Sequence, residues 1–210
     1  MYPQVLPKKI HPLPIYPFIL IFTGYTLWCI PFLLLKRKSY ASPPTTPKTL
    51  DRRARWGVLL QAISYALLWQ GPFWTYVPQL WLYVLSATLY LLAALLSFTA
   101  TRALGTQWRI DATLNPGHQL IRTGPYRFVR HPIYTSMLSL LLATGTLIAP
   151  WPLLAASTIL FILGTEIRVR LEERLLKSQF GDTFKGYQQQ VGAYVPRLTR
   201  ARANLAKQSP

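Results

Sequence analysis

Acidic and sulfur-bearing side chains are scarce in this 210-residue chain, which has six carboxylates and one cysteine against 23 lysines and arginines. The lone Cys29 lies in an apolar run, which rules out a disulfide framework and a thiolate metal site. Histidine is nearly as rare: His11, His118 and His131 fall in separate segments with no His-x-x-His, so the ligand spacings of a metal centre are missing and none is expected. There is no Gly-x-Gly-x-x-Gly or phosphate-cradling loop, and no Ser or Cys stands beside a credible base for nucleophilic catalysis. The N-terminus lacks the basic start and small-residue cleavage site of a removable signal peptide, so its first apolar segment is expected to stay as a span.

Charge of either sign is missing over three long intervals, Lys9 to Lys36, Arg55 to Arg102, and Arg130 to Glu166. A helix needs about 20 apolar residues to cross the hydrocarbon core, so the first interval holds one crossing and the second two. The third holds two short ones if they turn at Pro150-Trp151-Pro152. The fold class is therefore an all-α polytopic membrane protein of about five spans: Phe18 to Leu35 with a kink at Pro31, Trp56 to Trp69, Tyr76 to Thr101, Pro132 to Ala149, and Trp151 to Thr165.

The net charge of +17 has two readings, nucleic acid or membrane topology. No basic face with interleaved exposed aromatics is present, so nucleic acid is not an expected partner. The positive charges instead gather in two connections, 36–55 and 102–130, while those around Gly71-Pro72 and Pro150 have none. This asymmetry predicts both basic connections and the C-terminus on the cytoplasmic side, with the N-terminus outside or lumenal; Lys8 and Lys9 argue the other way.

In chain order, 1–101 comprises a proline-rich lead-in, three spans and an extended linker over 36–55 containing Ser42-Pro43-Pro44-Thr45-Thr46-Pro47. Trp69, Phe73, Trp74, Tyr76, Trp81 and Tyr83 read as an aromatic belt. The segment 102–196 holds Gly105-x-x-Trp108, a turn at Asn115-Pro116-Gly117-His118, the last two spans and a charged helical continuation; 197–210 is a basic tail. In the continuation, Leu171, Leu175, Leu176 and Phe180 fall on one side, and Glu166/Arg170 and Arg168/Glu172 are spaced for ion pairs. After Gly181 a second amphipathic segment carries Phe184, Tyr187, Val191 and Tyr194 and ends at Pro196.

Chemistry centres on Leu120 to Tyr134, LIRTGPYRFVRHPIY, a turn-rich hinge beside an uncharged run. Irregular backbone at a bilayer surface is tolerated where it is buried in protein or lines a wet cavity. With Arg168, Glu172 and Glu173 at the same predicted face, two readings stand open. The residues form a polar site, or they are a helix start, headgroup contacts and a solvated ion-paired face.

Taken together, Arg130-His131-Pro132-x-Tyr134, then Glu172-Glu173, Phe180-Gly181, Tyr187 and Val195-Pro196, resemble the C-terminal core of the isoprenylcysteine carboxyl methyltransferase family and its phospholipid methyltransferase relatives, over roughly 105–196. The resemblance implies five or more spans around S-adenosylmethionine, bound in a cytoplasmic C-terminal helical region. It implies that Arg130 and His131 meet the cofactor's carboxylate and that Glu172 or Glu173 meets its ribose or ammonium, with Gly124, Tyr126 and Tyr134 enclosing the rest. Arg168 then corresponds to an arginine facing the substrate, and Glu173 is the candidate base should the acceptor be an amine. The partners implied are membrane lipids and a lipophilic or lipidated acceptor such as an isoprenylcysteine carboxylate, entering sideways between spans. The chain departs from the family pattern at Ser136, where Gly is usual. Two other readings remain at this point. Membrane sterol reductases share a similar Arg-His-Pro-x-Tyr region and bind NADPH, and a non-catalytic module would use the ion pairs only to join helices.

Overall fold

The computed structural model describes residues 15–39, 52–71, 77–105 and 119–197. The proline-rich lead-in with Lys8 and Lys9, the 40–51 part of the linker, Phe73, Trp74 and Tyr76 of the belt, Trp108, the turn at 115–118 and all but the first residue of the tail lie outside the described residues.

Five helices carry the fold: α1 (Ile15–Ser39), α2 (Arg52–Leu67), α3 (Leu80–Leu104), α4 (Pro132–Ile148) and α5 (Trp151–Gln190). Short 3-10 turns occupy Leu68–Gln70 and Gly124–Arg127. Among the described residues the pairing outside helices is a single parallel bridge from Val129 to Gly192. Helices α1, α3 and α5 are long and apolar enough to cross a membrane, and α4 is apolar but shorter, at 17 residues.

Several boundaries differ from expectation, the first helix starting at Ile15 rather than Phe18 and the second at Arg52 rather than Trp56. The third helix starts at Leu80 rather than Tyr76, because Gln79 is extended at φ −71°, ψ 155° and the residue before Pro78 is pushed away from the helical region; it then runs on to Leu104. The first helix runs past the expected end at Leu35 to Ser39, with Pro31 inside it. The turn between the last two apolar segments does fall at Pro150, with α4 ending at Ile148 and α5 opening at Trp151.

Helix α3 packs on both α1 and α4, and α2 lies along α5. In lipid there is no hydrophobic force between helices, so close backbone approach and interhelical hydrogen bonds join them, averaging about 0.6 kcal/mol per bond. Tyr90 and Thr144 hydroxyls join α3 to α4 at 2.9 Å, and Ser86 donates to the Ala143 carbonyl at 2.8 Å. Tyr65 of α2 donates to the Met137 carbonyl of α4 at 2.7 Å, and Gln61 Nε2 to Thr165 Oγ1 of α5 at 2.8 Å. Ser136 is fully buried: its Oγ donates to the Ile133 carbonyl at 2.6 Å and accepts the Trp28 indole N–H of α1 at 2.9 Å. The side chain that departs from the family pattern thus ties α1 to α4.

Up to its break at Gly181, α5 runs from Trp151 for about 45 Å against a hydrocarbon thickness of roughly 30 Å, so its charged part projects beyond any span. The break comes at Gly181, φ 48°, ψ −121°, a conformation open to glycine. Beyond it Phe184, Tyr187 and Val191 are buried together against Leu120, Leu176 and Phe180. Leu175 leaves the expected apolar side and is exposed, and Tyr194 lies past the end of the helix at Gln190.

Candidate functional site

The hinge is built by backbone. Gly124, at φ 59°, opens the 3-10 turn and Pro125 follows with its φ preset. Tyr126 is buried, and its carbonyl accepts the Tyr187 hydroxyl at 2.5 Å. The next residues run beside the C-terminal loop: Arg130 N–H donates to the Gly192 carbonyl at 2.8 Å and His131 N–H to the Ala193 carbonyl at 3.0 Å. His131 is the N-cap of α4 with Pro132 in the first turn, where a missing N–H costs nothing. Arg130 and His131 are therefore held by main chain at both sides before their side chains make any contact.

Those side chains converge on α5. Arg130 Nε and Nη2 donate to Glu173 Oε1 at 2.8 and 2.7 Å, and its Nη1 donates to the carbonyls of Gln188, at 3.3 Å, and Val191. His131 Nε2 lies 3.1 Å from the same Glu173 oxygen, while Gln188 Nε2 donates to Glu173 Oε2 at 2.7 Å. Burial alone would raise the Glu173 pKa, but the hydrogen bonds from His131 and Arg130 and their charges outweigh it and hold the carboxyl near about 2.

Glu172 faces a different set. Tyr134 donates its hydroxyl to Glu172 Oε1 and accepts Arg168 Nε–H at 2.8 Å, so one phenol stands between a carboxylate and a guanidinium. Arg168 Nη2 lies 3.8 Å from Glu172 Oε1 and the Arg168 guanidinium 5.6 Å from the Tyr134 ring centre. His131 Nδ1 is 3.7 Å from Glu172 Oε2, which makes the imidazole the link between the two halves. Burial first, then the charge of Glu172, pushes the Tyr126 phenol up.

All the residues singled out from sequence, Gly124, Tyr126, Arg130, His131, Tyr134, Arg168, Glu172 and Glu173, lie at one end of the bundle. Arg130, His131, Tyr134, Arg168, Glu172 and Glu173 form one hydrogen-bonded and ionic cluster. The alternative between Glu172 and Glu173 becomes a division of labour: Glu173 binds the hinge and Glu172 binds the Tyr134–Arg168 pair. Glu166 stands apart, pairing with Arg170 at 2.8 Å and accepting the Tyr194 hydroxyl at 3.0 Å.

Sequence reasoning missed Gln188 and the carbonyls of Val191, Gly192 and Ala193. Gln188 sits in a polar run, Gln188-Gln189-Gln190, with nothing to single it out, and carbonyl acceptors leave no side-chain signature. The nearby signal was Tyr187, whose phenol is pushed up to about 12 by burial, against the lowering effect of Arg130 and Arg122.

Chemically, the cluster offers fixed anions and cations side by side in a half-buried setting: Glu173 and Glu172 are 17% and 25% exposed, against 10% for Arg130 and 17% for Arg168.

Known proteins give this end of the bundle a lineage. Residues 85–178 match the family described as the isoprenylcysteine carboxyl methyltransferase (ICMT) family. Methanethiol S-methyltransferase 1 of Bradyrhizobium diazoefficiens is 38% identical over 71 residues, which is 34% of this chain and 24% of that protein. Methanethiol S-methyltransferase 2 of the same organism is 34% identical over 85 residues, 40% of this chain and 32% of that protein. The protein-S-isoprenylcysteine O-methyltransferase of Schizosaccharomyces pombe is 34% identical over 88 residues, 40% of this chain and 36% of that protein. The chain thus spans between about a quarter and about a third of the length of these relatives. Both the Arg130-His131 hinge and the Glu172-Glu173 pair fall inside the interval that matches the isoprenylcysteine carboxyl methyltransferase family.

Proposed function

We propose that this chain is an integral-membrane methyltransferase that uses S-adenosylmethionine and methylates a lipophilic acceptor at the cytoplasmic end of its bundle. The observation that carries the reading is the convergence of Glu172 and Glu173 with Arg130 and His131, side chains about 40 positions apart, into one polar cluster at the end of an apolar helix bundle.

The donor set fits that cofactor. S-adenosylmethionine presents an ammonium, a carboxylate, a ribose diol and an adenine, and the cluster supplies carboxylates, an imidazole, guanidinium groups and the buried rings of Tyr126 and Tyr134. When bound, it supplies a methyl group already activated on a sulfonium, so alignment and exclusion of water are the protein's main tasks. Most Arg130 donors are taken by Glu173, Gln188 and Val191, so we assign Arg130 to holding the pocket in shape. His131 and Glu172 line the polar side together with Gly124, Tyr126 and Tyr134.

Arg168 faces the acceptor. Glu173, held near about 2, is too weak a base to take a proton at neutral pH, where a useful base has a pKa near the working value. We therefore assign it to fixing His131 and Arg130 rather than to proton removal. The acceptor that suits such a site already carries its lone pair as an anion, a carboxylate or a thiolate. The names of the relatives, an O-methyltransferase of isoprenylcysteine and S-methyltransferases of methanethiol, support those two classes.

The test is saturable binding of S-adenosylmethionine to the purified protein in detergent. Binding is expected in the wild type and lost in His131→Ala and Glu173→Gln. Binding of NADPH in its place would sink the methyltransferase reading in favour of a reductase, and binding of neither would leave a structural module.

A further inference from the structure

Helix α2 lies outside the family segment, yet its first turns press on the acceptor side of the cluster. The contact is glycine on glycine. A Cβ placed on Gly57 would stand 2.6 Å from Arg168 Cγ and 2.7 Å from the Gly164 carbonyl oxygen. A Cβ on Gly164 would stand 2.7 Å from the Gly57 carbonyl oxygen, 2.9 Å from Leu60 Cβ and 3.1 Å from the Gln61 amide nitrogen. Neither position accepts a side chain without moving backbone. One turn along α2, the buried Gln61 donates to Thr165 Oγ1 at 2.8 Å, fixing the register of the two helices beside the crossing.

We infer that α2, through Gly57 and Gln61, positions Arg168 and forms the wall of the acceptor half of the site. The aliphatic stem of Arg168 lies over the bare Gly57 backbone, and its Nε–H reaches the Tyr134 hydroxyl at 2.8 Å. Gly57 thus leaves room for the stem, Gln61 sets how far α5 is rotated and slid against α2, and Tyr134 receives the far end. The consequence is that a helix with no recognisable family motif decides where the acceptor-facing cation stands. This rests on the reading of Arg168 given above, but the position of Arg168 is measurable without any acceptor.

The experiment uses the full chain in lipid nanodiscs with 15N-labelled arginine, the Arg168 Nε–H signal being assigned by its disappearance in Arg168→Lys. In Gly57→Ala that signal is expected to move and to exchange with solvent about tenfold faster, as a broken buried hydrogen bond does. Gln61→Met, which removes the clamp without a clash, is expected to move it in the same direction. The control is Gly145→Ala, crowded by the Leu154 and Leu68 side chains at the other end of the bundle, which is expected to leave Arg168 unmoved. An Arg168 signal unchanged in Gly57→Ala, or displaced equally by Gly145→Ala, overturns the inference. Should Gly57→Ala fail to fold, an unmoved signal in Gln61→Met does the same. Failure of the wild type to bind S-adenosylmethionine would instead overturn the proposed function and leave the Arg168 comparison intact.

Discussion

Glu173 collects more polar contacts than any other carboxylate in the cluster, and its protonation carries a stability signature. A carboxyl whose folded pKa lies near about 2, below the ordinary value of 4.5, contributes stability that is fully present above pH 4.5 and lost as pH falls toward 2. The wild type is expected to be more stable than Glu173→Gln at neutral pH, with the difference shrinking through that window. Thermal unfolding in detergent at stepped pH checks it; a constant difference from pH 7 to 2.5 would show that the Arg130 and His131 contacts do not govern Glu173. The neighbouring Glu172 is instead bonded to Tyr134 and faces Arg168.

At the scale of elements, Gly181 deserves a substitution more than any charged residue. Its positive φ turns the end of α5 back over the hinge, so that Phe184 and Tyr187 cover Leu120 and Gln188 reaches Glu173. Nothing crowds a Cβ there, so Gly181→Ala isolates the backbone conformation, which costs about 1–3 kcal/mol for a residue with a side chain. The expected result is lower stability by that amount and weaker S-adenosylmethionine binding, while the helices before Gly181 keep their circular dichroism. Much of this element was legible beforehand: the apolar spacing of Phe184 and Tyr187 marked the segment, and Glu166 and Arg170 were spaced for the pair they form. What could not be read was the direction of return. Composition does not say that the loop after Gln190 runs parallel to Val129, nor that its carbonyls take the Arg130 and His131 amides, because backbone acceptors are the same in every sequence.

For the whole molecule, the charge-free intervals were enough to find the apolar helices, whereas the glycine crossing of α2 on α5 had no periodic signal to announce it. That crossing bears on topology. Helix α2 has 16 residues followed by 3 in its 3-10 turn, together about 30 Å, the thickness of a hydrocarbon core. It meets Gly164 and Arg168 at Gly57, and its following turn, at Leu68, meets the Gly145–Leu154 contact at the opposite end. Helix α4 likewise runs from His131 in the cluster to Ile148 at that far end. On this geometry α2 and α4 are expected to cross alongside the three longer helices, with the polar cluster at the end where Arg102 closes α3 and Arg55 opens α2. Positive loops stay in the cytoplasm, so the cluster is expected to face it. In a Cys29→Ser background, a membrane-impermeant maleimide should reach Ser178→Cys only from the cytoplasmic side of sealed vesicles, and Val77→Cys only from the other. A swapped pattern would invert the orientation. Labelling of both from one side would break the end-to-end arrangement of the α2–α5 and α4–α5 contacts itself.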